Sequence, residues 1–478
     1  MIKYPFPVSS LFCLVLLCGA CNTEFDAPKV TSGNADFSIC IAVGGSQTAG
    51  FQDNGLSAAG QQNSYPALLH QQFMLTGADN PILLPTLTGD DGQYGVLPSP
   101  EYPTYPYKTI HSLVLSYRII CGTNTLSPVI GGANNNNNTA FFTTTIGSPT
   151  KHFNNLGVPG ARSFHLSLQT FGLENMQLGG NPFYHRFASN PGNSTVLADA
   201  KSSNPTFFTL WIGLDDVLGY AMSGGEGSSS GLGAEDITPV DTFQNAIDRI
   251  VSSLKSNNSK GAIGNIPDIT SLPFFTTIPY NGLVIASQSL ADSLNTQYAL
   301  YNASAMASGL PLIQFHTGNN AFVIEDNNPL YNQVGNIRQI KNGELLRLDI
   351  PSDSLKCGGW GSSNKIPASY VLDLTEVQNC KTAITSFNTI LQNKAAAKGL
   401  AYIDFSAFYK TVESGILFNG VAFTTHFISG GFFSLDGINP NQRGYALCTN
   451  EWIKAINLKF GSNIPLVDAN KYPGIKLP

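Results

Sequence analysis

The chain has 478 residues, of which 42% are hydrophobic and only 12% are charged, and its formal net charge is −6. This length and apolar content are sufficient for a large folded core, whereas the acidic balance gives no electrostatic reason to expect nucleic-acid binding. Charged residues are about half as frequent as in an average soluble protein. Glycine and proline are common, with 47 and 28 copies, so we expect an exported protein that is rich in loops.

The N-terminal residues carry a targeting pattern rather than a folding pattern. Lys3 is the only charge before an apolar segment over residues 8–17, which is too short to span a bilayer. Because Gly19-Ala20-Cys21 follows closely after this segment, residues 1–20 are predicted to be a bacterial lipoprotein signal peptide and Cys21 the acylated first residue of the mature chain. A signal peptide that is simply cleaved is the alternative. Residues 21–34 would form a flexible tether.

The first element of the folded body is an apolar run over residues 37–43, which predicts a buried strand. The run breaks into the segment 43–50 (VGGSQTAG), where two glycines permit a sharp turn before Ser46. In open α/β sheets, ligands bind outside the carboxyl ends of the strands. Ser46 is therefore the first candidate functional residue.

Strands and helices alternate along the rest of the chain, which predicts one α/β domain over residues 35–460 with parallel strands and right-handed crossovers. Further strands are expected over residues 152–156, 206–212, 261–266 and 401–404. Helices are expected over residues 64–73, 238–256, 372–398 and 442–456. Two regions lack this pattern and are predicted to be large irregular insertions, at about 76–150 and 270–370. Residues 461–478 would form a C-terminal tail.

Five of the eight cysteines remain in the body once the signal peptide and Cys21 are set aside. Cys40 lies in the first predicted strand and Cys448 in the last predicted helix, so both are expected to be buried thiols. Cys357 and Cys380 flank a glycine-rich loop and are a candidate disulfide, since exported proteins form such bonds. No Cys/His spacing indicates a zinc site.

Three later segments share with Ser46 a position at the end of a predicted strand or before a predicted helix. They are VPG at 158–160, GLDD at 213–216 and DGINP at 436–440. With GGS at 44–46, these segments resemble, in the same order, the blocks of the SGNH (GDSL-type) esterases and lipases, whose patterns are GDS, G, GxND and DxxHP. The resemblance covers essentially the mature chain and extends to GDSL-type lipoproteins of Bacteroidetes-like bacteria. It implies a three-layer α/β/α, flavodoxin-like fold with a five-stranded parallel sheet.

The resemblance also implies roles for individual residues. In active members a serine attacks the ester carbonyl, a histidine takes its proton and an aspartate orients the histidine. Ser46 would be the nucleophile and Asp436 the orienting carboxylate. The backbone N–H groups of Ser46 and Gly160 would bind the oxyanion. No cofactor and no metal are implied.

Three positions depart from the family pattern. Asn439 stands in place of the base histidine, and an asparagine cannot accept and return a proton at neutral pH. Asp215 stands in place of the oxyanion asparagine, where an ionised carboxylate would repel the oxyanion and only a protonated one could donate. Gly45 replaces the aspartate before the nucleophile. We therefore expect ester hydrolysis to be lost or much reduced.

Several alternatives remain open at this stage. Hydrolysis could use another base, for which His426 is the histidine nearest in sequence to Asp436, or the pocket could bind an acyl or glycan ligand without cleaving it. A third alternative is a Ca²⁺ or Mg²⁺ site built from the oxygen atoms of Ser46, Asp215, Asp216, Asp436 and Asn439. The expected partners are a small acyl ester or acylated glycan and, through the lipid on Cys21, the bacterial outer membrane, on its periplasmic or cell-surface side. The chain is expected to be a monomer.

Overall fold

The structure is a computed structural model that describes residues 1, 29–87, 112–131, 145–175 and 178–478. The predicted signal peptide apart from Met1, the acylated Cys21 and most of the tether lie outside the described residues. No helix in the described ranges is both long enough and apolar enough to cross a membrane.

Short strands and helices make up the described residues. The strands are β1 (Cys40–Gly44), β2 (Leu113–Ile120), β3 (Thr123–Ile130), β4 (Asn155–Gly157), β5 (Phe207–Trp211), β6 (Lys260–Gly264), β7 (Leu283–Ile285), β8 (Gly318–Asn320), β9 (Val323–Glu325), β10 (Ile337–Gln339), β11 (Leu345–Leu346), β12 (Val371–Leu372), β13 (Ala401–Ile403), β14 (Ile416–Phe418) and β15 (Val421–Phe423). The α-helices are α1 (Ser46–Ala49), α2 (Ala58–Gln62), α3 (Tyr65–Met74), α4 (Pro182–Phe187), α5 (Val196–Ser202), α6 (Asp215–Met222), α7 (Val240–Leu254), α8 (Pro273–Thr276), α9 (Gln288–Gln297), α10 (Ala299–Ala307), α11 (Ser352–Lys356), α12 (Leu374–Lys398), α13 (Phe405–Ser414) and α14 (Gln442–Phe460).

Five strands form a central sheet in the order β4-β1-β5-β6-β13, and every neighbouring pair is parallel. Numbered along the chain, this order is 2-1-3-4-5, which is the doubly wound order with a switch point between the first and third strands. The structure thus confirms the predicted α/β class and the five-stranded parallel sheet. Each predicted core strand is present, although β4 begins at Asn155, three residues later than expected.

Strand β5 shows why the core strands are mostly apolar. On one face, Phe207 packs against rings of α3 and α14, and Trp211 packs against Tyr65 and Trp452 of the same two helices. Alternate side chains of a strand point to opposite faces, and Phe208 on the other face is also fully buried. A parallel sheet covered on both faces has no need for polar positions.

The two longest helices are capped at both ends, although α12 begins at Leu374, two residues later than predicted, and α14 ends at Phe460, four residues after the predicted 456. Asp373 and Glu376 form a capping box at the start of α12, and Gly399 ends that helix in the left-handed conformation. Asn441 accepts a hydrogen bond from Gly444 N–H at the start of α14, and Gly461 ends it in the same way as Gly399. Helix α14 therefore starts immediately after the last sequence block.

The second insertion is more regular than its sequence predicts. It contains α9, α10 and the antiparallel pairs β7–β8, β9–β10 and β11–β12. Its apolar side chains form two hydrophobic clusters separate from the main core. Arg338 is buried there and forms ion pairs with Asp326 and Glu344. The prediction of an irregular segment over 270–370 was wrong because these short elements carry no long periodic pattern. In the first insertion, the described residues include the β2–β3 hairpin.

The candidate disulfide between Cys357 and Cys380 was wrong. Cys357 bonds to Cys121, which lies 236 positions away in sequence at the turn of the β2–β3 hairpin. Cys380 is a buried free thiol inside α12. Cys40 and Cys448 are buried free thiols, as predicted. The disulfide therefore joins the two insertions to each other.

Candidate active site

Ser46 is held at the end of β1 by a tight turn into α1. A Cβ atom at Gly44 would lie 2.1 Å from the carbonyl oxygen of Trp211, so only glycine allows β5 to approach this closely. Helix α1 has four residues and ends at Gly50, which has a φ of +83°. The turn leaves Ser46 8% exposed, at the switch point of the sheet.

Two other loops bring polar groups to Ser46. The N–H of Gly160, in the loop after β4, donates to Ser46 Oγ at 3.0 Å. Ser46 Oγ donates to Asp215 Oδ2 at 3.4 Å. Asp215 is the first residue of α6, after β5. Ser46, Gly160 and Asp215 together are called the nucleophile group below.

The carboxylate of Asp215 lies where a side chain at position 45 would lie. A Cβ atom added at Gly45 would lie 2.9 Å from Asp215 Oδ2 and 3.3 Å from the carbonyl oxygen of Ala161. A side chain at position 45 would therefore displace the carboxylate. The two departures from the family pattern at 45 and 215 are thus neighbours in the structure.

The two adjacent aspartates of the third block have different surroundings. Burial, and next the charge of Asp216, raise the pKa of Asp215 to about 7, although hydrogen bonds from Ser46 and the Arg162 charge act in the opposite direction. Asp216 is fully buried and accepts hydrogen bonds at 2.8 Å from both the N–H and the Oγ of Ser163. Asp216 therefore fixes the loop after β4, and Asp215 is the carboxylate that meets Ser46.

A small pocket lies beside Ser46 and Asp215. Its other walls are mainly apolar and include Trp211, Leu214 and Ile266. Apolar walls keep water away from a carboxylate and disfavour its charged form, which agrees with the raised pKa of Asp215.

Asp436 and Asn439 form a second cluster, called the terminal group below. One carboxylate oxygen of Asp436 accepts from the N–H groups of Ile438 and Asn439 at 2.8 Å, and the other accepts from Asn439 Nδ2 at 3.0 Å. Asp436 is 3% exposed and Asn439 is 5% exposed. Within the described ranges, no hydrogen bond joins the terminal group to Ser46. The structure thus shows two polar groups rather than one continuous relay.

Asp53 is a residue of this region that the sequence did not single out. Its carboxylate accepts from Leu435 N–H at 2.7 Å, and its own N–H donates to Ser434 Oγ at 2.9 Å. The N–H of Asn54 donates to Asp436 Oδ2 at 3.4 Å. Burial, and less strongly the charge of Asp436, raise the pKa of Asp53 to about 7. The sequence Asp-Asn-Gly at 53–55 is typical of a turn, but it does not indicate that this turn contacts residues 434–436.

The alternative base His426 lies elsewhere. It is exposed, and its Nδ1 hydrogen-bonds to Thr424 Oγ1 at 3.2 Å. In the described part of the chain, no histidine hydrogen-bonds to Ser46. The geometry thus gives no support to a base at His426.

The alternative metal site does not form either. Asp216 is hydrogen-bonded to Ser163, and Asp436 is hydrogen-bonded within its own turn. Their carboxylate oxygens therefore do not join those of Asp215 in one site. Among described residues, the cluster with metal-ligand spacing is Cys121, Asp353 and Cys357, whose two sulfur atoms are bonded to each other.

No family model, no curated protein and no solved structure matches the chain.

Proposed function

We propose that this chain is an exported, lipid-anchored protein of the SGNH (GDSL-type) hydrolase architecture in which ester hydrolysis is much reduced or lost. The order of the blocks supports the architecture: Ser46 follows the first core strand, Gly160 the second and Asp215 the third, and Asp436 precedes the last long helix. The strand order 2-1-3-4-5 agrees with it. The disulfide between Cys121 and Cys357 agrees with export, because such bonds persist in oxidising compartments.

The observation that carries the proposal is the pairing of Ser46 Oγ with Gly160 N–H and Asp215. The serine hydroxyl lies at the end of the first core strand, where it accepts from a backbone N–H and donates to a carboxylate. The position of the histidine base holds Asn439, which is bonded to Asp436 and cannot relay a proton. Loss of the base in a serine hydrolase can lower the rate by on the order of 10⁶.

The partners in this proposal are a small acyl ester or acylated glycan in the pocket and, through an acylated Cys21, the bacterial outer membrane, on its periplasmic or cell-surface side. The walls at Trp211, Leu214 and Ile266 match an acyl group in polarity. The chain would act as a monomer without a cofactor.

The test is hydrolysis of a short p-nitrophenyl ester by the mature chain carrying Cys21→Ser, which prevents acylation. We expect weak turnover that falls to the buffer rate in Ser46→Ala. Turnover of about 10 s⁻¹, as in ordinary enzymes, would contradict the reduced activity. Equal rates in both proteins would show that Ser46 takes no part in the reaction.

A double variant tests the architecture itself. Asn439→His with Asp215→Asn restores the family's base and oxyanion donor together. If the loops have the SGNH arrangement, we expect turnover to rise by about 10²-fold or more, since an oxyanion donor alone contributes about 10²–10³. Asn439→His with Ser46→Ala is the matched control and should remain inactive.

A further inference from the structure

We propose that Asp215 is the general base for Ser46, so that the remaining nucleophilic reactivity of this site depends on a serine–aspartate pair. The inference rests on the proposed function, because it takes Ser46 as the nucleophile of that site. It reverses the expectation from sequence, in which Asp215 only disables an oxyanion donor.

The first argument is contact. Asp215 Oδ2 lies 3.4 Å from Ser46 Oγ and accepts the hydrogen bond that the hydroxyl donates. In the described part of the chain, no other side chain hydrogen-bonds to this hydroxyl. Catalytic hydrogen bonds are often long before substrate binds and shorten in the complex. The carboxylate is thus placed where a base must be.

The second argument is space. Gly45 has no side chain, and the room that a Cβ atom there would need is occupied by Asp215 Oδ2. The glycine therefore lets the carboxylate lie against the nucleophile turn. This explains Gly45 and Asp215 as one coupled change.

The third argument is charge. The charged neighbours of Asp215 are Asp216 and Arg162. Burial favours the protonated form of Asp215 most strongly, the negative charge of Asp216 favours it as well, and the positive charge of Arg162 favours the ionised form. A carboxylate with a pKa of about 7 is matched to base catalysis near neutral pH. Once Asp215 has taken the proton it is neutral, so it does not repel the oxyanion that forms in the same step.

The reaction balances without any further reagent. The Ser46 Oγ–H proton passes to Asp215 Oδ2 while Oγ forms a bond to the ester carbonyl carbon. The bond from that carbon to the leaving oxygen then breaks, and the proton on Asp215 goes to that oxygen. Water then attacks the acyl carbon while its proton passes to Asp215, the bond from that carbon to Ser46 Oγ breaks, and the proton on Asp215 returns to Oγ. Gly160 N–H, which donates to Oγ in the resting site, is the nearest donor for the oxyanion.

The experiment measures the rate at which a fluorophosphonate labels Ser46 in the mature Cys21→Ser chain, followed by intact mass and peptide mapping. This probe reports nucleophilicity directly and does not require turnover. In the unsubstituted site we expect labelling that rises with pH through about 7, with Asp215→Asn lowering the rate at pH 8 by about 10²-fold. His426→Ala is the matched control and should label like the parent.

Each other outcome overturns the inference. If Asp215→Asn labels faster than the parent, Asp215 obstructs the site rather than activates it. If Ser46 of the parent is not labelled, the pair is unreactive, whereas the proposed loss of hydrolysis still stands. The pH profile of the parent needs no variant, so a flat profile between pH 5 and 9 is decisive even if Asp215→Asn fails to fold.

Discussion

Hydrogen bonds between distant parts of the chain hold the nucleophile group together, whereas hydrogen bonds within one turn hold most of the terminal group. The first joins three loops that are far apart in sequence, and its bond from Ser46 to Asp215 is long, at 3.4 Å. The second is mostly local, since Asp436 accepts its bonds from Ile438 and Asn439. The first group therefore retains a titratable carboxylate beside a hydroxyl, whereas the second is a turn held mainly by its own hydrogen bonds.

If the chain has the proposed SGNH architecture, this difference explains how the histidine position can change without loss of the turn. Asn439 Nδ2 donates to Asp436, as a histidine ring N–H at this place would. The local structure before α14 is therefore preserved by asparagine. What asparagine cannot supply is a second nitrogen that accepts a proton. The terminal group thus contributes to stability, and in the proposed function any chemistry belongs to the nucleophile group.

The largest effect is expected from Asp436→Ala. The substitution leaves the N–H groups of Ile438 and Asn439 buried without an acceptor, so the free energy of unfolding should fall by about 3 kcal/mol. Asp436→Asn is the matched control and should cost clearly less, because its side-chain oxygen still accepts from these N–H groups. Urea denaturation measures both. A loss below about 0.5 kcal/mol, as for an ordinary surface change, would show that the turn is not stabilised as described.

Gly45→Ala should have an intermediate effect. The added Cβ atom would meet Asp215 Oδ2 at 2.9 Å, so we expect a loss of about 2 kcal/mol from overpacking. Asp215→Ala removes the carboxylate and should relieve most of this loss. A double-mutant cycle with a coupling of about 1 kcal/mol or more would confirm that the two positions share one space. Additive losses would show that the two side chains do not compete for the same space.

The sequence predicts the central sheet well because each core strand is buried on both faces and is apolar over several residues. Strand β5 is the clearest case, with all five positions buried. Helices α12 and α14 are also predictable, since Asp373 and Asn441 cap them and a glycine ends each. These signals are local and do not depend on the rest of the fold.

The remaining features depend on contacts between distant residues. The second insertion has strands of two or three residues, which are too short for a periodic pattern. The bond between Cys121 and Cys357 spans 236 positions, and spacing alone cannot select it among five cysteines. At the site, the sequence placed Ser46, Gly160 and Asp215 at strand ends that meet. It did not show that Gly45 makes room for Asp215, because that follows from the approach of two loops.

Asp53→Asn should have its smallest effect at low pH and an effect that grows as the pH rises. Asp53 has a pKa of about 7 in the folded chain and an ordinary value of 3.8, so between these values the folded state holds a proton that the unfolded state has lost. The stability from this proton is complete below about pH 4 and disappears as the pH rises through 7. Asparagine resembles the protonated acid and still accepts from Leu435 N–H.

The variant should therefore gain free energy of unfolding relative to the parent as the pH is raised from 4 to 8. Urea denaturation at several pH values measures this difference. Asp36→Asn, at an exposed position near the chain's start, is the control and should show no such trend. A constant difference for Asp53→Asn would mean that Asp53 is ionised throughout and that the Leu435 N–H group holds the charge. The loop at 53–55 would then stabilise the terminal group through hydrogen bonds alone, with no contribution from a proton on Asp53.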